Sequence, residues 1–565
     1  MTSYLQKHPF LQAIELLNSK NARDCWMINS FFSAFERFDG TISGHNMLFP
    51  MLNLDKLDMI SKAIVQSKAL DYKTSNISGD EFGKLMNFMI DAKDYDSEQD
   101  KVTLTNDEFF TKFFILTANS QVRFQHSDFR ERMARTYALM QYIPENNKEI
   151  LQQRLSNNFI DIPIILEEKY GIKPKAFFIF SWLIFVQYCR LIKEVFIIPD
   201  SERNLEISVR HDEARRATIC FQIIKRMLHE LRCSTAKNQL FITPAIENND
   251  HPLFSKKHFD GFLSIAGRTK KELQEESYRC PIYRVGNYSY SLSPLERFPL
   301  VKQSDGSFII PNMRYYETAI PQILHYELQD CYPGNEYNDL TGAIQELYIQ
   351  DLLKQRLPNI PVIPEITYKR GKNEVKGPDF TLIDDNGRPI LIESKSKRFQ
   401  ARTRILADSN SIDSDLHRIF DAFSKLPLKY KELFSGLSEY SIYDRFLQTA
   451  NMNNPVHVVV VYGNIELLPE MVNDYLRRNP ETPLQDYPYS FCIIDLVDFE
   501  YAVEVAATGT KHLSDLLTDY WVSASNVFTG KKPVQNLYSF KYDHDNCYNS
   551  KYKNILFKDL RETEC

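Results

Sequence analysis

The chain has 565 residues, with 68 lysines and arginines against 74 acids for a formal net charge of −6, and 43% of its residues are hydrophobic. That length leads us to expect three or four domains with ample chain for several cores, and the charge excludes a molecule that binds nucleic acid over its whole surface, so any such surface must be local. Nine cysteines, scattered from Cys25 to Cys565 without a CxxC pair, argue against a disulfide framework or a zinc site and for reduced thiols in a cytoplasmic setting.

The opening Met-Thr-Ser-Tyr-Leu-Gln-Lys-His lacks the layout of a signal peptide. Residues 1–165 read as a helical domain. Phe10, Ile14 and Leu17 recur at helical spacing, as do Phe31, Phe32 and Phe35, and Asn106 to Ile115 has the polar start and apolar follow-on of another helix. Asp94 to Lys101 is expected to be a solvated acidic loop, because the glycine and terminal glutamate of a calcium-binding EF-hand are missing.

Residues 166–290 read as a second helical domain or a continuation of the first. Ala176 to Cys189 is the most apolar run. It is shorter than the ~20 residues a membrane span needs, and Arg190, Lys193 and Glu194 follow at once, so a buried core helix is expected and no membrane partner. Ala214 to Leu231 is amphipathic through Ile219, Ile223, Met227 and Leu231. Its basic side (Arg215, Arg216, Lys225, Arg226) reads as a solvated face, as do Lys256-Lys257 and Lys270-Lys271. In residues 291–334, Phe298 to Pro311 gives two short strands around Asp305-Gly306, with a helix through Ala319 to Leu328, and this stretch is expected to be a small connector.

Residues 335–505 change character. Gly342 to Leu353 is helical, with Ile344, Leu347, Tyr348 and Leu352 on or near one side and Glu346 at the edge of that stripe. Phe380 to Ile383 and Pro389 to Ile392 are apolar runs around Asp385-Asn386-Gly387, which is hairpin-turn chemistry. Asp379 opens the first strand; Glu393 and Lys395 close the second on one face, with Ser394 on the other. Burying two acids and a lysine on one face is costly without a purpose. A hard divalent cation supplies one, held by the carboxylates while it keeps waters for chemistry, and the lysine can orient a water or offset charge on a phosphate. Ile412, Leu416, Ile419, Phe420 and Phe423 then form an amphipathic helix, and Val456 to Tyr462 and Ser490 to Leu496 are continuous apolar runs typical of strands covered on both faces. The overall expectation is a multi-domain chain: an α-helical N-terminal region, then an α/β domain with a mixed central sheet, with a helix and tail in residues 506–565.

Pro378-Asp379 followed by Glu393-Ser394-Lys395 one strand later, with Glu346 on the preceding helix, resembles the PD-(D/E)XK nuclease superfamily over residues 335–505. The resemblance implies a restriction-endonuclease-like domain that hydrolyses phosphodiester bonds with Mg²⁺ or Mn²⁺. In it Asp379, Glu393 and Glu346 are metal ligands or their supports, the backbone carbonyl of Ser394 completes the metal shell, and Lys395 orients water or stabilises the transition-state charge. From Tyr368 to Arg404 ten lysines and arginines face five acids in a chain that is acidic overall, which concentrates basic charge beside this hairpin. Lys397, Arg398, Arg402 and Arg404 are the candidate phosphate contacts. DNA is favoured over RNA as the partner, and a homo-oligomer or a regulatory protein partner stays open. The helical region would then supply targeting, dimerisation or inhibition, an arrangement that resembles bacterial nucleases of genome defence. Two alternatives remain at this stage: an RNA-cleaving nuclease, because a metal site sees only phosphates, and a catalytically silent binding or scaffold protein. His417 is expected on a helix surface and His457 as a hydrogen-bonded core residue; no Walker motif, Ser-His-Asp signature or HNH-like histidine cluster occurs.

Overall fold

The computed structural model describes residues 8–43, 54–71, 73–103, 129–195, 213–243, 255–279, 293–396, 409–434, 454–462, 487–524 and 546–558. The expected helix from Asn106 to Ile115 lies outside them, as do Lys397, Arg398, Arg402 and Arg404. The chain divides into two compact units, and neither is a single stretch: one comprises Met1–Phe109 and Pro163–Cys331, the other Phe110–Ile162 and Tyr332–Cys565. The consecutive segments expected from sequence, 1–165, 166–290, 291–334, 335–505 and 506–565, are therefore regrouped.

The first unit is mainly helical, as the apolar periodicity implies. Pro174–Val195 is the expected core helix, burying Phe177, Phe178, Ile179, Phe180 and Tyr188. Glu213–Cys233 buries Ile223, Met227 and Leu231 and leaves Lys225 exposed, paired with Asp80 at 2.6 Å. The acidic loop expected at Asp94–Lys101 is instead helical, inside Gly79–Thr103. Asp80 and Glu81 favour the positive N-terminal end of that helix. Asp96 is buried against His8, Nε2 to Oδ1 at 2.9 Å, a partner that spacing along the chain cannot reveal.

The expected connector strands β3 (Leu300–Lys302) and β4 (Phe308–Ile309) join β1 (Phe241–Ile242) and β2 (Gly267–Thr269) in a four-stranded sheet, order β1-β4-β3-β2. They thus belong to the core of the first unit. Tyr188 ties that sheet to its helix, donating to Leu240 O at 2.5 Å and accepting from Ile310 N at 3.1 Å.

The second unit is built on a five-stranded mixed sheet in the order β11-β10-β9-β8-β5. The strands are β5 (Val362–Pro364), β8 (Phe380–Ile383), β9 (Pro389–Lys395), β10 (Val456–Val461) and β11 (Ser490–Asp495). β9, β10 and β11 run parallel, whereas β8 is antiparallel to both β9 and β5. All of β10 is buried, as a strand covered on both faces must be. Ser409–Phe434 covers one face, packing Leu416, Ile419, Phe423, Leu426 and Leu433 onto Leu391, Val459, Val461 and Ile493. Glu336–Arg356 and Leu496–Ala507 cover the other, and Gln345 on the former donates to Val460 O at 3.3 Å. Between β5 and β8, β6 (Thr367–Arg370) and β7 (Asn373–Lys376) form a separate two-stranded ribbon.

Residues from early in the chain complete this second unit. Arg135, on Phe129–Tyr137, donates to the buried Glu500 at 2.8 Å, and Tyr348 donates to the same carboxylate oxygen at 2.7 Å. Tyr501 bonds Glu131 at 2.9 Å, and Asn549 on Tyr548–Phe557 donates to the Glu131 carbonyl at 2.9 Å. Buried charges persist only with such partners.

The β8–β9 turn follows the expected chemistry. Gly387 has φ +79° and donates to Asp384 O at 2.9 Å, while Arg388 N donates to the Asp384 carboxylate at 3.1 Å. Gly387→Ala is expected to cost about 1 kcal/mol, the usual left-handed penalty, read as a shift in a urea unfolding midpoint.

His457 is fully buried and bonds the Tyr487 hydroxyl at 2.5 Å, with burial lowering its pKa to about 3, so it is a neutral core histidine; His417 is exposed. Cys25, Cys189, Cys233, Cys331, Cys492 and Cys547 carry free thiols. Among the described residues no helix is long and apolar enough to cross a membrane.

Candidate active site

The hairpin register decides what meets what. Phe380 pairs with Ile392 and Thr381 with Leu391. One further step puts Asp379 across from Glu393, on the face of the sheet that Ser409–Phe434 covers. Asp379 is locked there by the backbone of the neighbouring strand, Ser394 N donating to its Oδ2 at 2.6 Å. The Ser394 side chain turns to the opposite face, buried, and its hydroxyl has no hydrogen-bond partner among the described residues.

Glu393 is 5% exposed and both of its oxygens are engaged. Lys395 donates to Oε2 at 3.0 Å and Lys429 to Oε1 at 2.6 Å. Lys429 also donates to the Gly377 carbonyl at 2.9 Å, which fixes the chain just before Asp379. Glu346, on Glu336–Arg356, carries a salt bridge from Arg154 on Lys148–Leu155. Ser156, two residues beyond Arg154, is the one non-glycine residue with positive φ (+48°) among those described.

These groups sense one another. Burial, then the charges of Glu393 and Glu346, raises the Asp379 carboxyl to about 7, against the pull of Lys395 and the Ser394 N–H. Burial raises Glu346 as well, opposed by the charge and hydrogen bond of Arg154. Burial alone would lower Lys395, but Glu393, Asp379 and Glu346 outweigh it and hold its ammonium above the ordinary lysine value. Three acids and three cations are thus interleaved, and Asp379 alone of the acids has no cation hydrogen-bonded to it among the described residues.

The structure therefore brings Asp379, Glu393 and Lys395 together, with Glu346 within electrostatic reach. Sequence reading missed Lys429 and Arg154. Lys429 left a signal: it stands three residues after Leu426 and four before Leu433, on the buried stripe of its helix, where a lysine needs a buried partner. Arg154 left none, because nearly two hundred residues separate it from Glu346.

The donor chemistry suits a hard divalent cation. Burial and the charges of Glu393 and Glu346 raise the proton affinity of Asp379, which added positive charge relieves, and oxygen ligands of this type suit an ion that retains most of its waters. Among the described residues no group of three His, Cys, Asp or Glu side chains stands close enough to form an all-protein cage. Magnesium and manganese tolerate that arrangement. Arg154→Gln, which removes a cation competing for Glu346, is expected to tighten Mn²⁺ binding several-fold by calorimetry; unchanged affinity would show that Arg154 is only a surface pair.

Comparison of the chain with protein-family models, curated proteins and solved structures finds no match.

Proposed function

We propose that the second unit is a metal-dependent nuclease of the PD-(D/E)XK type, with a restriction-endonuclease-like fold, that hydrolyses DNA. The observation that carries this reading is the meeting of Asp379 and Glu393 on one face of the sheet, with the Lys395 ammonium bonded to Glu393 and within electrostatic reach of Asp379. A mixed sheet with helices on both faces supports it. Asp379 and Glu393 would hold Mg²⁺ or Mn²⁺, with Glu346 in support. When bound, such a cation polarises the phosphate and makes a bound water more acidic.

The chain's own groups do the rest. The Ser394 N–H and the Lys429 ammonium fix the two carboxylates before substrate arrives, and preorganised groups of this kind cost no rearrangement during reaction. Lys395 holds its proton, because three acids stabilise the charged form. It therefore acts as a fixed positive charge that orients water and offsets charge on the phosphate, rather than as a base. Asp379 would hold the cation in its ionised form.

One observation favours a second reading, a silent nuclease-fold binding protein: ammonium groups already occupy both oxygens of Glu393. The deciding assay offers single- and double-stranded DNA and RNA with Mg²⁺, Mn²⁺ or EDTA, using wild type and Lys395→Ala. Metal-dependent DNA cleavage that falls by about 100-fold or more in the variant is expected for loss of a positioned charge. Cleavage of RNA alone would change the substrate. No cleavage, together with no calorimetric Mn²⁺ binding that Asp379→Ala removes, would leave the silent protein.

A further inference from the structure

The β6–β7 ribbon has an inner and an outer face. Tyr368 pairs with Val375 on the inner side, and Tyr368 is 3% exposed, packed among residues of Ser409–Phe434. Its hydroxyl donates to Glu432 at 2.5 Å, and Arg370 donates to the same carboxylate at 2.7 Å. The ribbon is therefore pinned at its base and set in direction. The outer pairs, Thr367 with Lys376 and Lys369 with Glu374, are exposed. Gly371-Lys372 makes the tip, with Gly371 at φ +62°, as a two-residue hairpin turn requires.

From Thr367 to Lys376 the ribbon carries four cations against one acid, Glu374. Arg370 and Lys376 are engaged, the latter by Glu365 at 2.9 Å. Lys369 and Lys372 are exposed and have no ion pair among the described residues. Three residues after Lys376 comes Asp379, so this basic arm leads directly into the candidate active site.

We propose that this ribbon engages duplex DNA by lying in the major groove, with Lys369 and Lys372 on the flanking phosphates. The inference rests on the nuclease reading for its purpose and supplies what that reading lacks, a structural reason for DNA. Four residues per strand give a ribbon about 13 Å long and two strands about 5 Å apart at the backbone. The B-form major groove, about 12 Å wide and 8.5 Å deep, admits a two-stranded ribbon. The A-form major groove of RNA is deep and narrow and does not. The metal-site chemistry sees only phosphates, so discrimination between the two duplexes falls to the element that enters the groove.

The test measures binding in EDTA, so that no cleavage intervenes. Fluorescence anisotropy of the full chain is recorded with short labelled duplexes of DNA and of RNA in one sequence, across a series of salt concentrations. Wild type is expected to bind the DNA duplex at least about tenfold more tightly than the RNA duplex. Lys369→Ala/Lys372→Ala is expected to weaken DNA binding by about tenfold or more and to reduce the slope of log affinity against log salt by about 2, one released counterion for each lost phosphate contact. Equal affinity for the two duplexes, no binding of either, or a double variant with unchanged affinity and slope would overturn the proposal. Both lysines are exposed, so an unchanged thermal unfolding midpoint confirms that the variant is folded. The two readings fail separately: DNA binding as described, with neither cleavage in Mg²⁺ or Mn²⁺ nor Asp379-dependent Mn²⁺ binding, sinks the nuclease and keeps the ribbon, whereas cleavage by wild type with an unaltered double variant sinks only the ribbon.

Discussion

Asp379→Asn is expected to make the metal-free protein more stable while abolishing both Mn²⁺ binding and cleavage. The cause is the raised carboxyl. Asp379 titrates near 7 in the folded chain, against about 4 for an unfolded aspartate. Between those values the folded state binds a proton that the unfolded state does not, so this group's contribution to stability falls as pH rises from about 4 to 7. Above pH 7 the destabilisation is fully present, on the order of 4 kcal/mol at 1.36 kcal/mol per unit. The asparagine carries no charge and can still accept from Ser394 N. In EDTA at pH 8 its thermal midpoint should therefore exceed wild type by several degrees, and the gap should close as pH falls toward 4. A variant less stable than wild type at pH 8 would show that the surrounding lysines already offset the repulsion. A gain in stability from deleting a functional group is the usual sign of a site held under electrostatic strain for function.

Lys429→Ala is expected to act in the opposite direction. Its ammonium is buried, spanning Glu393 and the Gly377 carbonyl. Removing it leaves a buried carboxylate with Lys395 as its remaining cation and a carbonyl without its donor. Breaking a buried pair from one side costs about 3–5 kcal/mol; the surviving bond from Lys395 puts the expected loss near the bottom of that range. In Glu393→Gln/Lys429→Ala the charge is gone from both sides, so the double variant should be less destabilised than the two single losses added together. Strict additivity in urea unfolding would show that the pair contributes no coupling. Lys429→Arg separates positioning from bulk charge. It keeps the cation but brings a planar fork in place of a point charge, and should recover stability better than cleavage.

These two residues also mark the limit of what the sequence discloses. Asp379, Glu393 and Lys395 were legible because a hairpin converts short spacing into position: strand alternation and turn chemistry fix which side chains meet. The mixed sheet and the amphipathic helix over it were legible for the same reason, since their apolar periodicity is local. Lys429 was half legible, a charge on an apolar stripe. Arg154, the His8 partner of Asp96 and the Arg135 partner of Glu500 were not, because each depends on contacts between distant segments. The error at Asp94–Lys101 has the same origin. Its acids read as a loop, and a distant histidine together with two acids at the helix start allows a helix.

The order in which the two units share the chain has a consequence for how the protein is made. Synthesis runs from the first unit to the second, back to the first and again to the second. Phe129–Tyr137 emerges early, yet Arg135 finds Glu500 only 365 residues later. Lys429, β10 and Glu500 follow in that order after the hairpin, so Asp379 and Glu393 cannot be held as they are in the finished fold when they first emerge. Such long-range closure makes folding slow, and it delays assembly of the candidate active site until the segment carrying Glu500 has left the ribosome. A fragment released before that point would carry the acids without the framework that arms them.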